Sequence, residues 1–306
     1  MSALREQIAD YLLVRRSFGF ALTTDEYLLR QFAGFVERRG NAEISIDIVS
    51  EWAAASGGST GWHRDRLAKL RRFLLWAHSF DPELPIPAPP ASGNGHRQPV
   101  PYLYSAEEIR RLMDCTSVFL SSAKASMFRT LIGLVSCTGL RIGEALRADL
   151  TDLDGTVLTI HNSKNGASRL VPLHATTGEA LNLYLRTVRP QLTKTPHCPA
   201  IFLSRSGTRL QYANVHADFQ RVAQLAGIPK TPAGHYPHLH DLRHSFAVAT
   251  MIDAYLNGSD AARVVPVLSA YLGHCRPADT YWYLHASSEL LAAAAARLEM
   301  EGDCND

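Results

Sequence analysis

Two arginines, two histidines and a tyrosine stand at spacings suited to attack on a phosphodiester. Arg141 lies in Thr138-Gly139-Leu140-Arg141-Ile142-Gly143-Glu144-Ala145-Leu146, and His240 and Arg243 lie in His240-Asp241-Leu242-Arg243-His244. His274 closes Leu272-Gly273-His274, and Tyr283 follows nine positions later. A phosphoryl group in transit carries charge on its non-bridging oxygens, which fixed bidentate guanidinium groups neutralise. A tyrosine supplies an attacking oxygen and a histidine can take its proton. Free tyrosine has a pKa of about 10, so it needs nearby cations and a base to attack at neutral pH.

The local pattern shows how helices would present these groups. Residues i and i+3 share a helix face, so His240 and Arg243 can reach one phosphate. Glu144, three residues after Arg141, can orient that guanidinium or serve simply as an acid at a helix start. His235, His238, His240, His244 and His274 are crowded enough to suggest a metal. No Asp, Glu or Cys completes such a ligand set, however, and Arg243 puts a cation at its centre. Neither metal nor cofactor is expected.

The elements that must hold these residues are mostly helical. Thr23-Thr24-Asp25-Glu26 reads as a capping box ahead of Tyr27, Leu28, Phe32, Phe35 and Val36 at helical spacing, with Gly40 as the stop. Ile46 to Ala55 is a second amphipathic stretch, and Trp62 to His78 a long third. That last helix carries Arg64, Arg66, Lys69, Arg71 and Arg72, which read as a solvated basic face or as a surface tracking a DNA backbone. A Pro-, Gly- and Ser-rich linker covers 87–101. Beyond it, Ser105-Ala106-Glu107-Glu108 is another capping box. Helices are expected at 123–137, from Arg141, and at 179–187, 216–226, 241–256, 261–272, 277–284 and 289–300. Two strand patterns, 156–161 and 169–173, flank the hairpin turn signal Asn165-Gly166. The fold class is therefore mainly α in two domains, 1–86 and 102–306, the second with a small antiparallel β-sheet.

In order and spacing, these motifs resemble the tyrosine recombinase (phage integrase) family, over Tyr102 to about Met300. The resemblance implies a helical core-binding domain of SAM-like type at the N-terminus and a catalytic domain after the linker. It makes Tyr283 the nucleophile that forms a 3′-phosphotyrosine, with Arg141, Arg243 and His274 holding the phosphate and His240 acting as base. Lys164, beside the hairpin turn, takes the place of the family's minor-groove lysine that protonates the departing 5′ oxygen, with Arg169 as the fallback cation. The implied partner is double-stranded DNA, bound by a homotetramer on paired sites that is monomeric in free solution. The helix expected at 289–300, with Leu290, Leu291, Ala293, Ala294, Ala295, Leu298 and Met300, would dock on its own domain or on a neighbouring protomer. The beginning of the chain at Met1, with no further arm-binding domain, favours action at simple sites. The same chemistry is compatible with a type IB topoisomerase, and the fold alone with a non-catalytic DNA-binding protein.

Composition bounds these readings. With 306 residues the chain can form two cores, and an apolar fraction of 46% is ordinary for a globular protein. No signal sequence or membrane span is visible. Five cysteines without a Cys-x-x-Cys pair fit reduced thiols in a cytoplasmic protein, and the family resemblance implies association with the nucleoid. Lys and Arg number 31 against 29 Asp and Glu, a net charge of +2, so affinity for phosphate must come from local clustering of cations.

Overall fold

The computed structural model describes residues 2–40, 43–55, 57, 60–89, 101–161, 168–194, 198–232, 234–257, 261–274 and 280. Lys164, the turn Asn165-Gly166, Tyr283 with its neighbours Tyr281 and Trp282, most of the linker, the helix expected at 289–300 and all but Thr280 of the one expected at 277–284 lie outside these residues. The chain divides into two compact units, 1–98 and 99–306.

The first unit contains four described helices: α1 (Ala3–Ser17), α2 (Thr23–Glu37), α3 (Ile46–Ala54) and α4 (Thr60–His78). Their apolar stripes close on Leu28, Leu29, Phe32, Trp52, Leu70, Phe73 and Leu74, all essentially buried. The Ser45 hydroxyl accepts from the Ile48 N–H and starts α3. The capping box expected at Thr23 is not formed. Leu22 takes the cap position with a left-handed backbone (φ 50°), so Thr23 already lies inside α2. The carboxylates of that motif serve arginines instead: Asp25 pairs with Arg72 at 3.0 Å, and Glu26 pairs with Arg30 at 2.6 Å and with Arg16.

The second unit opens with α5 (Ala106–Asp114), whose Ser105–Glu108 capping box is present in both directions. Then come α6 (Ser122–Thr138), α7 (Ile142–Arg147), strands β1 (Leu153–Asp154), β2 (Val157–Ile160) and β3 (Arg169–Pro172), α8 (Ala175–Thr187) and the short α9 (Arg189–Leu192). The described elements end with α10 (Tyr212–Leu225), α11 (Leu239–Leu256) and α12 (Ala261–Leu272). Helix α6 is the pillar of the core: Met127, Leu131, Ile132, Leu134 and Val135 are buried, and it touches α5, α8 and α11. The sheet is antiparallel in the order β1-β2-β3, with Leu158 opposite Leu153 on one side and Val171 on the other. Along β2 Leu158 and Ile160 alternate inward, the period-2 pattern of a half-buried strand. Two helices begin a full turn earlier than expected. The His174 side chain accepts from the Thr176 N–H and starts α8 ahead of two threonines, and α10 starts at Tyr212 rather than His216. Among the described residues no helix is long and apolar enough to cross a membrane.

Candidate active site

The site is built on two helix C-termini. Helix α6 stops at Gly139 (φ +60°) and α12 at Gly273 (φ +70°), left-handed positions that favour glycine. Close packing adds a second reason. A Cβ at Gly139 would stand 2.5 Å from Phe246 Cδ1 and 2.8 Å from Leu272 Cδ2, and one at Gly273 would stand 2.7 Å from Arg169 Nη1. After α12 the Gly273 N–H donates to the Ala270 carbonyl and the His274 N–H to the Ser269 carbonyl, both at 3.0 Å. This is a Schellman motif, and it sets the direction in which His274 leaves the helix.

The last carbonyls of a helix have no partner within it and carry the negative end of its dipole. Here arginines take them in succession. Arg169 Nε donates to Tyr271 O (2.8 Å), Arg243 Nη2 to Leu272 O (2.7 Å) and Arg141 Nη2 to Gly273 O (3.2 Å). Arg243 also donates through Nη1 to Gly139 O at 2.7 Å, so this almost fully buried guanidinium (1% exposed) ties the two helix ends together. With Ser269 and Ala270 engaged by the turn, every carbonyl from 269 to 273 accepts a hydrogen bond.

Glu144 supplies the counter-charge. Its side chain is 1% exposed and accepts from Arg141 Nη1 (2.9 Å), Arg169 Nη1 (3.1 Å), Arg169 Nη2 (2.8 Å) and the Arg141 backbone N–H (3.1 Å). Burial alone would raise its pKa, but the hydrogen bonds and charge of Arg169, and then of Arg141, outweigh it and hold the carboxyl at about 2. Three guanidinium groups against one carboxylate leave two positive charges in excess. A dianionic transition state on a phosphate would meet this excess.

The histidines adjoin the same cluster. His240 is exposed at the start of α11, and its ring meets that of His244 edge-on with centroids 4.7 Å apart. His274 Nδ1 lies 2.8 Å from the hydroxyl of buried Thr280, which stands three residues before Tyr283. Burial, and then the charges of His240, Arg243 and His274, push the His244 pKa down to about 3. The structure therefore brings Arg141, His240, Arg243 and His274 together, with His244 neutral among them.

The sign of the resulting pH dependence follows directly. His244 takes up a proton more readily unfolded, near pH 6.5, than folded, near 3, so its stabilising effect is present at neutral pH and lost as pH falls below about 6.5. Between pH 7 and pH 5 this should cost on the order of 1–2 kcal/mol. Glu144, with a folded value of about 2, loses its contribution only from about pH 4.5 downward. Urea unfolding at the two pH values should show a smaller difference in His244→Gln than in the parent; equal differences would place the titration elsewhere.

The expected basic face on α4 needs correction. Arg66 is 4% exposed, donates to Trp52 O at 3.0 Å and lies 4.0 Å over the Trp52 ring. Lys69 pairs with Asp65, Arg71 Nε donates to Pro87 O at 2.9 Å, and Arg72 is the partner of Asp25. Arg64 is half-exposed. Internal acceptors and aromatic packing thus turn at least Arg66 away from solvent, and the five cations do not form one open stripe. Among the described residues no group of three or more His, Cys, Asp or Glu could hold a metal ion. His216 and His238 stack with centroids 5.4 Å apart rather than converging on a point. No local sequence pattern distinguishes Arg169, whose partners Glu144 and Tyr271 lie on α7 and α12. Glu144 was legible because it follows Arg141 by three residues.

A family model described as the phage integrase family matches residues 103–289. The Sinorhizobium fredii protein y4rB, described as an integrase/recombinase, is 36% identical over 307 residues, 98% of each chain. The tyrosine recombinase XerD of Bifidobacterium longum is 29% identical over 310 residues, 94% of each chain. Among solved structures, a lambda integrase tetramer bound to a Holliday junction superimposes with a TM-score of 0.61 at 17% identity, over 92% of this chain and 76% of that one, a likeness of fold.

Proposed function

Since the chain belongs to the phage integrase family and is a site-specific recombinase of the tyrosine type, we propose that it breaks and rejoins duplex DNA through Tyr283 without a metal ion. The Tyr283 hydroxyl oxygen attacks the scissile phosphorus as His240 takes its proton. The bond from phosphorus to the 5′ oxygen breaks, and Lys164 donates a proton to that oxygen. The products are a 3′-phosphotyrosine and a free 5′ hydroxyl. A 5′ hydroxyl from a second strand then attacks the phosphotyrosine, so the phosphodiester is re-formed and no ATP is consumed. Arg141, Arg243 and His274 hold the phosphate oxygens.

One observation carries this reading: Arg243 and Arg141 bind the consecutive carbonyls of Leu272 and Gly273, directly before His274. Two fixed guanidinium groups and an imidazole thus gather at one helix end, where net positive charge does the work a divalent cation does elsewhere. The first unit is proposed to be the family's core-binding domain, which adds contacts to the duplex. By analogy with the lambda integrase tetramer, the working form is proposed to be a homotetramer on two sites, assembled from monomers where the DNA is.

The test is a supercoiled plasmid carrying one or two copies of the site, with excess EDTA throughout. Recombinant circles are expected only from the two-site plasmid. Relaxation of the one-site plasmid alone would indicate a topoisomerase. Loss of product in EDTA, restored by zinc or magnesium, would return the histidines to a metal-binding role.

A further inference from the structure

We propose that Arg169 is a positioning residue for strand cleavage: it takes up the charge of Glu144, so that Arg141 remains a net cation toward the scissile phosphate. The inference rests on the reading above, in which Arg141 holds that phosphate.

Its basis is how the contacts divide. Arg169 meets Glu144 end-on, Nη1 to Oε1 and Nη2 to Oε2, the fork geometry that binds a carboxylate most firmly. Its remaining nitrogen, Nε, donates to Tyr271 O. All three nitrogens therefore have protein acceptors, the side chain is 11% exposed, and an arginine does not give up its proton in the working pH range. These features rule it out as a substitute acid. Arg141 shares only Oε1 through Nη1 and keeps a side chain 23% exposed.

Without Arg169, the buried Glu144 carboxylate would have Arg141 as its one remaining hydrogen-bonded guanidinium. Opposite charges attract strongly away from water, and a buried carboxylate left half-paired draws in whatever cation it can reach. Arg141 would become half of a neutral pair and lose much of its pull on an incoming phosphate. Strand β3 thus does more than pair with β2: its first residue sets the net charge that the site's opening arginine presents to an incoming phosphate. A cation at position 169 is needed only because an anion stands at 144.

That dependence gives the test. Single-turnover formation of the covalent adduct is measured on a nicked duplex, with the duplex Kd measured alongside, for the parent, Arg169→Gln, Arg169→Lys, Glu144→Gln and the double variant E144Q/R169Q. Arg169→Gln should slow cleavage on the order of 10²-fold with Kd nearly unchanged, and Arg169→Lys should recover part of the loss. In the Glu144→Gln background the same change should cost less than about tenfold, since no anion remains to capture Arg141. An equal or larger loss in that background, or a parent-like rate in Arg169→Gln, overturns the proposal. If Arg169→Gln fails to fold, the comparison of E144Q with E144Q/R169Q decides alone. A parent protein that forms no adduct would instead defeat the tyrosine reading itself.

Discussion

Tyr283→Phe is expected to bind its DNA with near-parent affinity and to form no covalent adduct. The change deletes one hydroxyl and leaves the ring, so packing and DNA contacts change little while the nucleophile disappears. The Schellman turn at Gly273 directs His274 out of α12, and His274 engages the buried Thr280, three residues short of the tyrosine. On a nicked suicide substrate the departing strand diffuses away and the phosphotyrosine accumulates. The parent and Tyr281→Phe should both give the shifted band under denaturing conditions, and Tyr283→Phe none. An adduct in Tyr283→Phe that is missing in Tyr281→Phe would move the nucleophile by two residues.

Arg243→Ala should damage stability and cleavage together. The guanidinium is buried and bridges Gly139 O and Leu272 O, so truncation leaves two buried carbonyls without these donors. At about 1–3 kcal/mol for each unsatisfied group, the loss is roughly 2–6 kcal/mol, before any cavity is counted. Cleavage should fall by at least 10²–10³-fold, the usual cost of removing one fixed donor to a developing oxyanion. Urea unfolding measures the first effect and adduct formation the second. A substrate with sulfur at the bridging 5′ position separates this role from acid catalysis, because its leaving group needs little protonation. Lys164→Ala, which removes the acid and should slow the oxygen substrate about 10²–10⁴-fold, should be rescued by sulfur, whereas Arg243→Ala should not. Equal rescue of both, or of neither, would mean that Lys164 is not the acid.

The sequence announced the helices wherever local chemistry was self-sufficient. Ser105 and Glu108 cap α5 as their spacing implies, and the apolar spacing of Met127 to Val135 marks the pillar α6. Local signals failed where a distant partner took over. Thr23 and Glu26 had the residues of a capping box, but Leu22 took the cap, while Asp25 pairs with Arg72 of α4 and Glu26 with Arg16 of α1 and Arg30 of its own helix. Arg66 looked like a surface cation within its helix, until the Trp52 ring on α3 covered it. The site shows the same division. His240 and Arg243 are legible three residues apart on one helix. Arg169, in contrast, acquires its role only when β3 is laid beside α7 and the end of α12, contacts that span 25 and 102 residues of sequence.

The central claim is that phosphate is held by cations and transferred to Tyr283, and mapping the covalent bond tests it most directly. The protein is trapped on a nicked substrate in excess EDTA, the DNA is trimmed to a residual nucleotide, and the modified peptide is sequenced by mass spectrometry. The expected result is a single 3′-linked nucleotide on Tyr283, formed at the same rate with and without chelator. A nucleotide on Tyr281 or on a serine, or an adduct that forms only when a divalent metal is restored, would contradict the account.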